Sequence, residues 1–340
     1  APLETILEEY SAGQCHFIEV WLGHAEQYLD GKPVEALSEL FVQHGCDPVA
    51  ATFQGGLLTS QGDARREHWA HFEKRLALCS AVSIPTLVLA GDVHGPLGPE
   101  DLGRLSASLV EAAKRAGDAG VRLALEFDAR ATFPNNLQSA VALIEDVGLP
   151  SLGICLDWFH FSVGPSKLID LHLLTPEIVA LVQLSDIADV PREMASDADR
   201  ILPAEGNSPP QQLIAHLEAM QYDGPISIEL QNPQLWQVPP RQFGVCRAHG
   251  AHVRGPCAGR GLPPPMIWSG SLAAAGAPKP YKYKGLGAWR RRNLTNTRVW
   301  APRGAKRSPR TRARTRTRAH THTRTHAHHT RTHISTGGGR

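Results

Sequence analysis

Four polar residues stand near the C-terminal ends of four apolar runs. They are Glu126 in VRLALEF (121–127), Asp157 in SLGICLDWFHF (151–161), Gln183 in VALVQLSD (179–186) and Glu229 in GPISIEL (224–230). Each run is rich in Val, Ile and Leu and too short for a helix, which predicts strands buried on both faces. If such strands lie parallel and close into a ring, their C-terminal ends converge on one face, where the loops of a barrel build the active site. Three carboxylates and one carboxamide meeting there form a hard, oxygen-rich pocket suited to a divalent cation.

The elements that would position these groups alternate regularly. Helices are predicted over 3–13, 33–45, 64–83, 99–120, 135–148 and 209–224, with further helical stretches near 166–173 and 175–182. Strands are predicted over 14–22, 47–56, 84–92 and the four runs above, and the segments 23–32 and 187–208 read as loops. Trp69, Phe72, Leu76 and Cys79 recur at three- and four-residue spacing on one helical face. Strand and helix in strict alternation predict an α/β fold, a (β/α)8 TIM barrel. Seven strands are countable before residue 231 and the chain opens on a helix, so the barrel is expected to lack its first strand, and the two edges left open invite misfolding or association into a homo-oligomer. An open doubly wound sheet would carry a glycine-rich turn after its first strand, and none is present.

Charge divides the chain sharply. Residues 1–240 hold 13 Lys+Arg and all 33 Asp+Glu, a net of −20, whereas 241–340 hold the other 22 Lys+Arg and no acid. A barrel over 1–243 matches the roughly 250 residues usual for this architecture. The segment 244–340 is expected to be a disordered, low-complexity basic tail. Its SPRTRARTRTRAHTHTRTHAHHTRTH run (308–333) reads foremost as translated simple-repeat DNA or a shifted frame, against a nucleic-acid-binding tail or a histidine-rich metal tract. The strongly acidic body disfavours nucleic acid as a partner except through that tail. The six cysteines form no CxxC pair, and Cys15 and Cys155 lie in apolar runs, which suits a reducing, cytoplasmic setting. No apolar stretch reaches the length of a membrane span.

LALEF, ICLDWFHF with its Asp-x-x-His, VQLSDIADVPRE, RILPAEGN and GPISIEL together resemble the xylose isomerase-like TIM barrels of the sugar phosphate isomerase/epimerase group, over roughly residues 3–243. The resemblance implies a single divalent metal, Mn2+, Mg2+ or Co2+, held by Glu126, Asp157 and Glu229, with the family's histidine ligand replaced by Gln183. An amide oxygen in that place makes zinc the less expected metal and leaves open that Gln183 is only a hydrogen-bonding group. The resemblance further implies that His160 and Arg200 contact substrate, and that Ala204 stands where the family has glycine. His94, just past a strand end in GDVHGP, either lines the same pocket or faces solvent.

The expected chemistry is isomerisation or epimerisation of a sugar or sugar derivative through an enediolate. A Lewis acid stabilises the charge that develops beside the carbonyl, a carboxylate removes the neighbouring proton and a second group returns it. Glu126 and Glu229 are the expected base/acid pair, Asp157 a ligand, and His160, Arg200 and His94 substrate contacts. The alternatives are an endonuclease IV-like DNA-repair barrel, which would need a histidine-rich site and a basic groove, and a truncated, non-catalytic barrel.

Overall fold

The computed structural model describes residues 1–237 and the backbone of 266–269, all within one compact unit, Ala1–Lys279. Eight strands close into a parallel barrel with helices outside. In chain order the barrel strands are β1 (Phe17–Trp21), β2 (Asp47–Gln54), β3 (Thr86–Gly91), β4 (Arg122–Phe127), β5 (Leu152–Asp157), β6 (Val179–Leu184), β9 (Ile226–Glu229) and β10 (Met266–Ser269); a two-residue antiparallel ribbon, β7 (Asp186–Ile187) with β8 (Arg200–Ile201), lies between β6 and β9. The helices are α1 (Leu3–Ala12), α2 (Leu22–Tyr28), α3 (Glu35–His44), α4 (Gly62–Ala81), α5 (Pro99–Asp118), α6 (Leu137–Val147), α7 (Trp158–Val163) and α8 (Gln211–Ala219). Among the described residues no helix is long and apolar enough to cross a membrane.

Side-chain alternation along the strands divides the core in two. Ile18, Val20, Leu87, Leu89, Leu123, Leu125, Ile154, Leu156, Val182 and Leu184 join the helix faces in one large buried cluster. The intervening residues Ala50, Val88, Ala124, Cys155 and Leu181 form a separate small cluster inside the ring. The interior set is mostly small, which leaves room above it for the polar layer at the strand ends.

Seven strands lie between Phe17 and Glu229, as the apolar runs predict, and α1 precedes them. The eighth place, between β9 and β1, is taken by β10: Met266 lies opposite Ile226, Ser269 opposite Glu229, and Trp268 opposite Ile18. The edges expected to be open are therefore paired, by a strand from beyond residue 243. Apart from this strand, residues 238–340, and with them the expectations about the basic tail, lie outside the described residues. Cys15, Cys46, Cys79 and Cys155 are buried free thiols.

Several local expectations change. The strand expected through Phe161 ends at Asp157, because the Asp157 carboxylate caps α7 by accepting from Phe159 N–H at 2.8 Å. The helix expected over 175–182 is a turn in which Thr175 O accepts from Ile178 and Val179 N–H, followed directly by β6. The segment read as a loop after β1 contains α2, and the one over 187–208 contains half of the β7–β8 ribbon.

Ending the chain after residue 243 would remove β10 and leave two unpaired parallel edges. The expected outcome is a thermal midpoint lower by at least about 2–4 °C, the shift that about 1 kcal/mol produces in a domain of 150–250 residues, together with concentration-dependent association in size-exclusion chromatography. A truncated chain that stays monomeric with an unchanged midpoint would show that β10 contributes nothing to closure.

Candidate active site

The polar layer grows directly from strand register. Glu126 lies opposite Cys155, Asp157 opposite Gln183, and Gln183 opposite Ser227, which brings the ends of β4, β5, β6 and β9 into one rim. Asp157, Gln183 and Glu229 are buried, and the Glu126 side chain is 15% exposed. The position after Asp157 begins α7, so the Asp-x-x-His spacing is one helical turn, which returns His160 over the acid that capped it. His160 Nε2 then lies 3.7 Å from Asp157 Oδ2 and 3.8 Å from Glu126 Oε1, while its Nδ1 lies 3.6 Å from Asp128 Oδ1 and receives Ala129 N–H at 3.4 Å.

Arg200 enters the same layer from β8 and is fully buried. Its guanidinium donates to Asp157 Oδ2 at 2.6 Å and to Asp197 Oδ1 at 2.9 Å, lies 3.2 Å from Glu229 Oε2, and sits over the Phe159 ring at 4.3 Å. The loop that delivers it is clamped by Asp186, whose carboxylate accepts from the N–H groups of Ile187, Gly206 and Ser208. A side chain at Gly206 would meet Ile187 O at 2.1 Å, so this turn admits only glycine there. Ala204, in the same turn, has φ 71°, the left-handed region that favours glycine.

The predicted residues Glu126, Asp157, Gln183, Glu229, His160 and Arg200 are thus brought together. His94 is exposed on the loop after β3. Gln183 is engaged at both ends: its Nε2 donates to Glu19 Oε1 at 2.8 Å and its Oε1 accepts from the Cys155 thiol at 3.0 Å. Sequence reasoning missed Glu19, which is buried on β1 and also accepts from Thr52. The available signal was a lone acid flanked by Ile18 and Val20 in a strand that must be buried on both faces.

Four buried or nearly buried carboxyls, Glu19, Glu126, Asp157 and Glu229, therefore share this layer with one guanidinium, which pairs with Asp157 and Glu229. Burial, followed by repulsion from Glu229 and Asp157, holds the Glu126 carboxyl well above the usual range. Burial raises Glu19 and lifts Glu229 to about 8 even beside Arg200, and burial lowers His160. Glu229 Oε2 and Glu19 Oε2 are buried and accept no aligned hydrogen bond. Glu126, Asp157 and His160 each offer a ligand atom, all within 4.8 Å of one another, a group that does not include Glu229. Such a donor set, short of positive charge and with buried oxygens to spare, fits a divalent cation.

Two outcomes follow from this geometry. Ala204→Gly relieves a left-handed alanine and is expected to stabilise the fold by about 1 kcal/mol, read as a higher urea midpoint; an unchanged or lower midpoint would show the turn unstrained. The second concerns pH. Between 4.5 and about 8 the folded protein keeps a proton on Glu229 that the unfolded chain releases. Its contribution is complete below 4.5 and is lost as the pH rises through about 8, so stability falls across that window. Glu126 and Glu19 act in the same sense, whereas His160 opposes it only below the ordinary imidazole value of 6.5. Chelator-treated protein should therefore show a thermal midpoint that declines from pH 5 to pH 8, less steeply in Glu229→Gln; a flat or rising wild-type profile would contradict the buried-carboxyl geometry.

Comparison with known proteins agrees with this architecture. Residues 10–245 match the family described as xylose isomerase-like TIM barrel. An inosose isomerase of Halalkalibacterium halodurans is 25% identical over 215 residues, covering 62% of this chain and 76% of that protein. A crystal structure of the IolI protein with a bound zinc atom superimposes with a TM-score of 0.68 at 21% identity, covering 74% of this chain and 92% of that one. A D-psicose 3-epimerase structure in the presence of D-fructose gives a TM-score of 0.56 at 21% identity, covering 68% and 80% of the two chains. With its barrel, its strand-end carboxylates and a match spanning residues 10–245, the chain belongs to the xylose isomerase-like TIM barrel family.

Proposed function

We propose that this chain is a divalent-cation-dependent isomerase or epimerase of a sugar or sugar derivative. The observation that carries the reading is the convergence of Glu126, Asp157 and Glu229 around Arg200 at the C-terminal rim of the barrel. Relatives named inosose isomerase and neighbours named D-psicose 3-epimerase support a polyhydroxy ketone as substrate. The cation, Mn2+, Mg2+ or Co2+, would be held by Glu126, Asp157 and Glu229, and would supply charge stabilisation at the substrate's carbonyl and hydroxyl oxygens.

The side chains do the rest. One of Glu126 and Glu229, once ionised, takes the proton from the carbon next to the carbonyl, and the electron pair of that C–H bond moves into an enediolate. The other carboxyl returns a proton, at the neighbouring carbon for isomerisation or on the opposite face for epimerisation. Burial raises both groups toward the working pH, where a carboxyl is an effective base in one state and an effective acid in the other. Arg200 holds Asp157 and Glu229 at fixed separation and keeps bulk water from between them. His94, exposed on the loop after β3, would meet substrate from outside the carboxylate layer. A site with one imidazole among four carboxyls gives little support to a DNA-repair barrel, whose chemistry calls for several metals around a phosphate.

Full-length protein supplied with Mn2+ in D2O is expected to incorporate solvent deuterium into an inosose or a ketohexose, followed by NMR. Glu126→Gln and Glu229→Gln should each slow the exchange by about 10²–10⁴-fold, the range for removing a general acid or base, while far-UV circular dichroism stays unchanged. Exchange that survives both substitutions would assign the proton transfer to other groups, and no exchange in the wild type with any polyhydroxy ketone would sink the proposal.

A further inference from the structure

The family resemblance puts an imidazole ligand where β6 carries Gln183. That amide is fixed by two bonds, as donor to Glu19 at 2.8 Å and as acceptor from Cys155 at 3.0 Å. Its oxygen has at most one lone pair left, on a weak ligand, and turning it toward the Glu126–Asp157 pair would break the hydrogen bond to a buried carboxyl. An imidazole nevertheless reaches this layer from another element. His160 Nε2 stands 3.8 Å from Glu126 Oε1 and 3.7 Å from Asp157 Oδ2. Two ligand atoms that each lie about 2.1 Å from one ion are about 3.0–4.2 Å apart for angles between a right angle and a straight line. Both observed separations fall in that interval.

The far side of the ring is equally suited. A ligating histidine generally donates its other N–H to a carboxylate or carbonyl, which fixes the tautomer and strengthens the ligand. Asp128 Oδ1 lies 3.6 Å from His160 Nδ1. The tautomer that accepts Ala129 N–H at Nδ1 carries its proton on Nε2, facing the carboxylates; the other donates Nδ1–H to Asp128 and frees the Nε2 lone pair.

We propose that His160, through Nε2, is the nitrogen ligand of the cation site in place of the residue at position 183, and that Asp128 positions it by accepting a hydrogen bond from Nδ1–H. This rests on the metal-dependent reading above. It replaces the role of substrate-hydroxyl contact for His160, and it gives the site a mixed nitrogen and oxygen donor set that accepts Zn2+ as well as Mn2+ and Co2+.

The test is metal binding and not turnover. Chelator-treated full-length protein is titrated with Mn2+ and read by electron paramagnetic resonance, with electron spin-echo modulation recorded below one equivalent so that the tightest site fills first. The histidines of 308–333 are common to every variant and cancel in the comparison. The expected result is nitrogen modulation in the wild type that changes when the protein is grown on 15N-histidine and is lost in His160→Ala. The same substitution should weaken Mn2+ by at least about 100-fold, and Asp128→Asn should weaken it by about 10–100-fold. Gln183→Ala should alter it by less than about 3-fold, within the context-dependence of a bond to a ligand's neighbour. Tight Mn2+ binding without histidine modulation, or binding lost in Gln183→Ala and kept in His160→Ala, would overturn the proposal and leave the cation-dependent reading standing. A wild type that binds no Mn2+, Co2+ or Zn2+ would overturn both. Where His160→Ala does not fold, His160→Gln is read in the same way, because the isotope result identifies a histidine and the substitution identifies which one.

Discussion

The buried guanidinium of Arg200 is the constraint on which the active-site end of this barrel depends. It is fully enclosed, pairs with the enclosed carboxylate of Asp157 and lies beside the raised carboxyl of Glu229. Removing the Arg200–Asp157 pair from water is expensive, and the attraction within it offsets that cost only when the geometry is held tightly. The surrounding structure supplies this tightness: Phe159 covers one face of the guanidinium, Asp197 takes Nε, and Asp186 ties down the loop that carries β8 by three backbone bonds. One cation remains too few for the carboxyls around it. Burial, reinforced by repulsion among these groups, raises Glu126, Glu19 and Glu229, and the shortage of positive charge makes the site receptive to a divalent ion.

The two-residue periodicity of the strands separates this chemistry from the stability of the fold. Outward side chains of β1 to β6 pack on the helices in the large core, while inward ones form a thin apolar plug of Ala50, Val88, Ala124, Cys155 and Leu181 below the polar layer. The buried carboxyls are thus gathered at one end of the ring, while Arg122 stands at the other and donates to Val179 O. Asp157 links the two regimes. One oxygen caps α7 and the other pairs with Arg200, so the residue that ends the strand also fixes the helical turn that brings His160 back.

What could be read from the sequence follows from this division. Glu126, Asp157 and Glu229 were legible because each interrupts an apolar run at its end, and a parallel barrel converts that one-dimensional position into a shared location. Glu19 was not, because it lies in the middle of its strand, where alternation alone does not say which neighbours face it across the ring. The burial of Arg200 was hidden for another reason: a two-residue ribbon inside an irregular loop carries no periodicity, and its pairing of Ile187 with Arg200 is a tertiary fact. The left-handed turn at Ala204 was marked only by the family's preference for glycine. The eighth strand was the least legible element. Its four residues are too few to show a period of their own, and Trp268 is paired with Ile18, about 250 residues earlier in the chain.

Gln183 shows why a departure from a family's residue pattern need not mean a lost site. An amide has one donor end and one acceptor end, and here each is matched to its neighbour, a carboxyl oxygen of Glu19 and the thiol of Cys155. Exchanging an imidazole for this amide fixes Glu19 against the interior plug instead of directing a nitrogen at the rim. Glu19 Oε2 accepts no aligned hydrogen bond in this arrangement, at a cost of about 1–3 kcal/mol for a buried group. Burial raises this carboxyl above its ordinary value, because a neutral acid suffers less in a dry interior than an anion. Position 183 is therefore part of the wall, and the imidazole facing the Glu126–Asp157 pair comes from the turn after β5, three residues beyond the acid it approaches.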